Sequence, residues 1–319
     1  MKNHYWILML SATVLAGCID NYVEPLVFGA IAWPGYEPAY VARELDYFKP
    51  DQVHLAEFTN TTEVLRAFRN GQLHVAGLTL DEALVLRKSV PDLQIFMMAD
   101  ISNGADVLMA RRSINNLSQL KGKRIGVETT ALGAYYFSLI LRAANLAEND
   151  VQIVSLPLDE HVRAFRAGLV DAVVTFEPVR SELLQLGAQQ LFDSSRVPGK
   201  IVDVLVVRKA DSEVQRKHLL VLAKAWFRAL RVIEKDHARA YPIMARHEHV
   251  QAAQLEQAMH GLTLIDRRQN LDQLSGNPSP LHKTALDIQR ILKAAGLATG
   301  SDDFSLLINQ RLVVETDLD

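Results

Sequence analysis

A single cysteine in 319 residues rules out an intrachain disulfide, and with it any zinc or iron–sulfur site built from several thiolates. Aromatic residues make up only 7% of the chain, too few for the repeated stacking platforms that hold single-stranded nucleic acid. An excess of positive charge is missing too. The 34 basic residues face 37 acidic ones, for a formal net charge of −3, so no basic footprint for nucleic acid exists. Beyond the amino-terminal segment no apolar run reaches the roughly 20 residues that span a bilayer. The phosphate-cradling patterns G-x-x-x-x-G-K-[ST] and G-x-G-x-x-G do not occur, nor does the nucleophile turn G-x-S-x-G. His247-Glu248-His249 lacks the H-E-x-x-H spacing of a helical zinc site. The chain therefore carries no catalytic, cofactor or metal assignment.

What is present is ordinary globular material, 49% apolar and 22% charged. The length suits about two domains of ~150 residues. Residues 1–18 read MKNHYWILMLSATVLAGC: Lys2 gives a positive start, and Trp6 to Ala16 form an apolar stretch broken only by Ser11 and Thr13. That stretch has the length of a secretory signal core and is too short to span a membrane. Leu15-Ala16-Gly17-Cys18 resembles the bacterial lipobox, in which small residues enter a peptidase cleft and the cysteine thiol takes a diacylglyceryl group. The expectation is a signal peptide over residues 1–17, a lipidated leader over 18–25, and a domain tethered through Cys18 to a membrane of the cell envelope, on its periplasmic side.

Downstream, apolar runs of strand length alternate with segments of helical spacing. Leu26 to Trp33, Gln52 to Phe58, His74 to Leu78 and Lys123 to Val127 read as strands, and Thr61 to Asn70 as a helix stopped by Gly71. This alternation predicts an α/β fold with mainly parallel sheets flanked by helices. Past Val207 the pattern is almost wholly helical, with Leu219, Ala223, Trp226, Leu230 and Ile233 on one face and Ala285, Ile288, Leu292 and Ala295 on another. One hexapeptide echoes: Arg66-Ala67-Phe68-Arg69-Asn70-Gly71 recurs as Arg163-Ala164-Phe165-Arg166-Ala167-Gly168, each followed by a short apolar strand. Two similar α/β lobes explain it, with strand carboxyl ends lining a shared cleft.

The run Trp33-Pro34-Gly35-Tyr36-Glu37-Pro38-Ala39-Tyr40, continuing to Leu45-Asp46-Tyr47-Phe48, resembles the opening of the nitrate/sulfonate/taurine-type substrate-binding proteins of ABC importers, a group that includes thiamine-precursor binders. Gly71-Gln72-Leu73-His74-Val75-Ala76, Leu120-Lys121-Gly122-Lys123-Arg124-Ile125-Gly126-Val127 and Asp171-Ala172-Val173-Val174-Thr175-Phe176-Glu177-Pro178 extend the match. Asp46 stands where that group usually has glycine. The resemblance implies a two-lobed periplasmic-binding-protein fold of type II, with chain crossings near Ser102–Asp106 and Lys200–Val204. Lobe 1 then takes residues 26–103 and 205–319, and lobe 2 takes 104–204. It further implies a monomer that captures a small polar nutrient, a sulfonate/taurine-like zwitterion or an aminopyrimidine-like ring, and passes it to a membrane permease.

Within such a cleft, Trp33 and Tyr36 lie on a Pro-Gly loop, away from any helical apolar spacing, where an aromatic suits ligand stacking as well as lobe packing. The Thr129-Thr130 turn and the Thr79-Leu80-Asp81 turn each precede a helix, where exposed N–H groups favour an anion and Asp81 is a candidate N-cap. Phe176 and Glu177 end a strand, and Glu177 either meets an amine or starts a helix. Asp106 and Asp203 flank the crossings, suited to a cationic group or to hinge hydrogen bonds. No arginine sits in a cleft loop to mark an oxyanion site. Arg111 and Arg112 read as surface residues. Two other readings stay open: a lipoprotein that presents its closed form to a membrane signalling receptor, and an enzyme on the same fold.

Overall fold

The computed structural model describes residues 24–316 apart from 129, 300–302 and 305, so Cys18, the signal segment and Thr129 lie outside the described residues. β1 (Leu26–Ile31), β2 (Val53–Phe58) and β3 (Val75–Thr79) alternate with α1 (Glu37–Glu44) and α2 (Thr61–Arg69) and pair in parallel. α3 (Leu80–Leu86) leads to β4 (Leu93–Ser102). A second sheet follows from β5 (Val107–Ala110), β6 (Arg124–Val127), β7 (Gln152–Ser155), β8 (Ala172–Thr175) and β9 (Gln189–Asp193), in the order β7-β6-β8-β5-β9. α4 (Ala131–Ala144), α5 (His161–Arg166) and α6 (Val179–Gln185) connect its strands. β10 (Val202–Arg208) returns to the first sheet, where β11 (Leu262–Leu264) forms an edge in the order β11-β4-β10-β3-β1-β2.

The sheets are mixed, where alternation alone suggested mainly parallel ones. Each holds a parallel trio, β2-β1-β3 and β7-β6-β8. Beside the trio, β10 pairs antiparallel with β3 and β4, and β5 pairs antiparallel with β8 and β9. A strand arriving from the other sheet has no crossover helix to impose a parallel course, so it enters against the trio. Residues 202–204, which the sequence assigned to the second lobe, pair in the first sheet. Buried on both faces, β3 and β8 are apolar except at their threonine ends, because helices cover both sides of each sheet.

The repeated hexapeptide marks a repeated packing unit. Gly71 and Gly168 both stop their helices at φ +73°, a conformation glycine adopts without a Cβ penalty. Arg208, at the end of β10, lies 4.4 Å over the Phe68 ring and donates to the Phe68 carbonyl. Arg111, just after β5, lies 4.7 Å over the Phe165 ring and donates to the Phe165 carbonyl at 2.5 Å. Arg111 is thus a half-buried clamp, in correction of its surface reading. Asp46 follows α1 at φ +54°, which explains the glycine usual there: aspartate tolerates the left-handed region at some cost.

The remaining chain supplies α7 (Lys209–Val214), α8 (Arg216–Lys235), α9 (His237–His247), α10 (Ala252–His260), α11 (Arg267–Leu274), α12 (Pro280–Ala294) and α13 (Arg311–Glu315). The apolar face of α8 is buried, and its Trp226 meets Phe28 of β1 edge-on at 6.3 Å. Ala285, Ile288 and Leu292 of α12 are buried, whereas Ala295 falls past the helix end and is exposed. The two crossings, residues 103–106 and 194–201, are stitched together. Ser102 Oγ lies 2.7 Å from Ser194 Oγ, which also accepts from the Gly104 N–H at 2.6 Å. The Ser194 N–H donates to the Asp106 carbonyl.

Candidate functional site

Three parallel strands aim their carboxyl ends at one place. β1 delivers the Trp33–Tyr36 loop, β3 delivers Thr79 and the start of α3, and β8 delivers Phe176. Between the sheets they line a narrow cleft whose internal cavity is about 20 Å³, room for about one water, so a solute enters only as the walls part. The first sheet and the segments it delivers contribute Trp33, Tyr36, Thr79, Glu82 of α3 and Asp203; from the second come Phe176, just after β8, and Leu132 of α4, and Asp106 comes from the first crossing. Trp33 and Phe176 meet edge-to-face at 5.3 Å, joining the walls across the cleft.

Small residues allow this close assembly. A Cβ on Gly35 would lie 1.7 Å from Asp100 Oδ2, so the carboxylate occupies the space a side chain would take. Gly77 likewise lies under the Tyr36 ring, at 2.8 Å from a built Cβ. The Trp33 indole N–H donates to Asp100 at 3.1 Å, and the Tyr36 hydroxyl donates to Asp203 at 2.6 Å. Asp203 sits in register between Thr79 on one neighbouring strand and Asp100 on the other, which sets two carboxyls side by side. Like charges in that position repel.

The acidic groups are buried together. Burial pushes the carboxyl pKa values up to about 7 at Glu82 and Asp106 and to about 8 at Asp100. Burial, then repulsion from Asp100, raises Asp203 well above the ordinary range, and burial with Glu82 does so for Asp81. Glu128, after β6, is raised to about 8 by burial and by Glu82. Several oxygens have no hydrogen-bond partner: Glu82 Oε1, Asp106 Oδ2, Asp203 Oδ2 and Asp100 Oδ1. No lysine, arginine or histidine is among the described residues that line the cavity.

Of the residues singled out in the sequence, Trp33, Tyr36, Thr79, Phe176 and Asp203 meet at this cavity. Asp81, Thr130 and Glu177 do not line it. Thr79, not Asp81, holds the N-cap position of α3, and Asp81 is buried with both carboxyl oxygens unpartnered. Thr130 caps α4, accepting from the Gly133 N–H at 3.3 Å, and borders a neighbouring groove. Glu177 accepts from Arg180 at 2.9 Å and from the Ser181 N–H at 3.1 Å, which places it at the start of α6. Sequence reading missed Glu82 and Asp100. Glu82 was visible as the last letter of Thr79-Leu80-Asp81-Glu82, whose carboxylate reaches back to the Thr79 N–H at 3.1 Å. Asp100 was visible as a lone charge inside an apolar strand.

A second buried acidic group lies between α1 and α9. Among the described residues, Glu37, His247 and Glu248 bring ligand atoms within 4.8 Å of one another, the one such set able to hold a metal ion. His247 Nδ1 is 2.5 Å from Glu37, and its Nε2 is 3.2 Å from Glu57. The histidine triplet dismissed for its spacing thus meets a third residue from a distant helix.

Residues 21–245 match the NMT1-like family. The taurine-binding periplasmic protein of Escherichia coli (strain K12) is 24% identical over 290 residues, covering 87% of this chain and 89% of that protein. The alkanesulfonate-binding protein SsuA from Xanthomonas axonopodis pv. citri, solved with MOPS bound, superposes with a TM-score of 0.72 at 18% identity, over 87% of this chain and 96% of that one. The desulfurization enzyme DSZB superposes at 0.68 with 15% identity, over 92% and 98% of the two chains. The architecture is the α/β fold of periplasmic binding proteins, and it also carries an enzyme.

Proposed function

The chain belongs to the NMT1-like family, and from that premise we propose that it is the solute-binding component of an ABC importer. It captures a small polar solute between two lobes, one of residues 24–102 and 202–316 and one of residues 107–193, and releases it to a membrane permease. No bond is made or broken. The observation that carries this reading is the cleft at the strand carboxyl ends, lined from both sheets by Trp33, Tyr36 and Phe176. Relatives named for taurine and alkanesulfonate support it. A taurine-like zwitterion and an aminopyrimidine-like ring both offer an N–H group to Asp203 and Glu82. Trp33, Tyr36, Thr79, Phe176 and Asp203 are the residues that touch the solute, with Asp81, Thr130 and Glu177 acting behind them. The protein works as a monomer in the cell envelope, on the periplasmic side.

Ligand binding to the folded state adds RT ln(1 + [L]/Kd), about 2.7 kcal/mol at a hundredfold excess over Kd. Trp33→Ala is expected to abolish the increase in Tm that a bound solute gives the wild-type protein, as read by differential scanning fluorimetry. An undiminished increase in the variant rejects the site. For the anchor, Cys18→Ser is expected to move the protein from the membrane fraction to the soluble periplasmic fraction. Retention of the variant in membranes rejects lipidation at Cys18.

A further inference from the structure

We propose that the solute held by this cavity is a small organic cation, an amine without an acidic group, gripped between Asp203 and Glu82 on one side and Asp106 on the other. The inference rests on the solute-binding reading above and narrows it.

Hydrogen-bonding capacity decides the sign. An anion needs donors, and the cavity has spent its strong ones: the Trp33 indole N–H is held by Asp100 and the Tyr36 hydroxyl by Asp203. What remains open are the Thr79 hydroxyl and carboxyl oxygens, which act as acceptors once their protons leave. Glu82 Oε1, Asp106 Oδ2 and Asp203 Oδ2 have no partner, and all three residues are at most 4% exposed. Buried carboxyl oxygens without donors are costly, and an ammonium group supplies three N–H donors at once. The rings of Trp33, Tyr36 and Phe176 also line the cavity, and an aromatic ring attracts a desolvated cation that reaches its face. An alkanesulfonate or nitrate finds no cation here among the described lining residues. The aromatic walls also favour an organic cation over a bare metal ion.

The cation doubles as the clasp. Asp106 comes from the first crossing, Glu82 from α3 and Asp203 from β10, so closing the cleft gathers three carboxyl groups at one place. A cation between them draws them into their ionised form and holds them together, which couples occupancy to closure.

The titratable groups are Glu82 on α3 and Asp203 on β10, which line the cavity, with Asp81 on α3 and Asp100 on β4 buried behind them. Glu128 and Asp106 approach from the second sheet and the first crossing, and the Tyr36 hydroxyl completes the set. Their carboxyl protons must leave when a cation arrives. The probes are butane-1,4-diamine, propylamine and benzylamine, set against ethanesulfonate, nitrate, taurine and zinc chloride. At least one amine is expected to raise Tm and to bind in titration calorimetry. Proton release is expected at pH 7, visible as a buffer-dependent heat, with affinity rising up to about tenfold per pH unit for each proton displaced. Asp203→Asn and Asp106→Asn, checked for native circular dichroism, are expected to weaken that amine at least about tenfold, the loss of a charged hydrogen bond. Ethanesulfonate or nitrate binding that Trp33→Ala abolishes, with every amine silent, overturns the cation and keeps the solute-binding reading. Stabilisation by zinc alone, or by taurine alone, overturns it as well. Amine binding that Trp33→Ala and Asp203→Asn leave untouched overturns both.

Discussion

Raising the pH from about 6.5 to 8.5 is expected to lower the Tm of the solute-free protein by several degrees. Unfolded carboxyl groups titrate near pH 4. In the folded chain Glu82 and Asp106 are raised to about 7, and Asp100 and Glu128 to about 8. The folded state therefore binds more protons than the unfolded one between those limits. Stability declines as pH climbs through that interval and levels off once the folded carboxyls have ionised. Each proton retained costs about 1.4 kcal/mol per pH unit, and 1 kcal/mol moves Tm by roughly 2–4 °C in a chain of this size. His161, lowered to about 4 by burial, acts the other way, but only below its unfolded value near 6.5. The upper window is thus left to the buried carboxyls, those of the cleft together with Glu37 and Glu248, which burial also raises. Thermal melts followed by circular dichroism read the effect, and Asp203→Asn is expected to raise the Tm at pH 8.5 and flatten the slope. A flat wild-type profile shows that the cluster is hydrated and already ionised.

Gly35→Ala is expected to cost about 3–4 kcal/mol and to destroy solute binding with it. The new methyl group meets Asp100 Oδ2 at 1.7 Å and the Trp33 indole nitrogen at 2.6 Å. Both are buried and bonded to each other, so neither has a free rotamer to retreat into. Displacing Asp100 also disturbs its neighbour Asp203 and the Tyr36 hydroxyl that rests on it. Gly71→Ala is the control: its Cβ meets nothing within 4 Å, and only its φ of +73° penalises the change. That variant is expected to lose about 1 kcal/mol and keep its binding. Equal losses from the two, measured by urea denaturation, reject the idea that the Asp100 carboxylate occupies the Gly35 side-chain space.

Much of the frame was legible because it rests on local patterns. Apolar runs gave the parallel trios, and the repeated hexapeptide gave two like units. The strand directions of β5 and β10 were not legible, since they follow from chain crossings that leave no periodic trace. At the site, Trp33, Tyr36 and Phe176 were readable as aromatics on loops or strand ends. Asp100 and Glu82 were not, because their meaning depends on register: only the pairing of β10 with β3 and β4 sets Thr79, Asp203 and Asp100 in one row. For Thr130 and Glu177 the sequence left both a cap and a ligand contact open, for a related reason. A polar residue before a helix can cap it or face a ligand, and both choices look alike in one dimension.

The position of β10 also dictates the order in which the molecule can be made. Residues 107–193 form an uninterrupted sheet, whereas the six-stranded sheet waits for a strand inserted between β3 and β4. Until residue 208 has been synthesised, those two neighbours have no partner between them, and Phe68 lacks the guanidinium that covers it. The later-encoded unit is therefore the first able to finish, and any chain cut short before β10 leaves β3 open on one edge and β4 on both, prone to pairing with another copy.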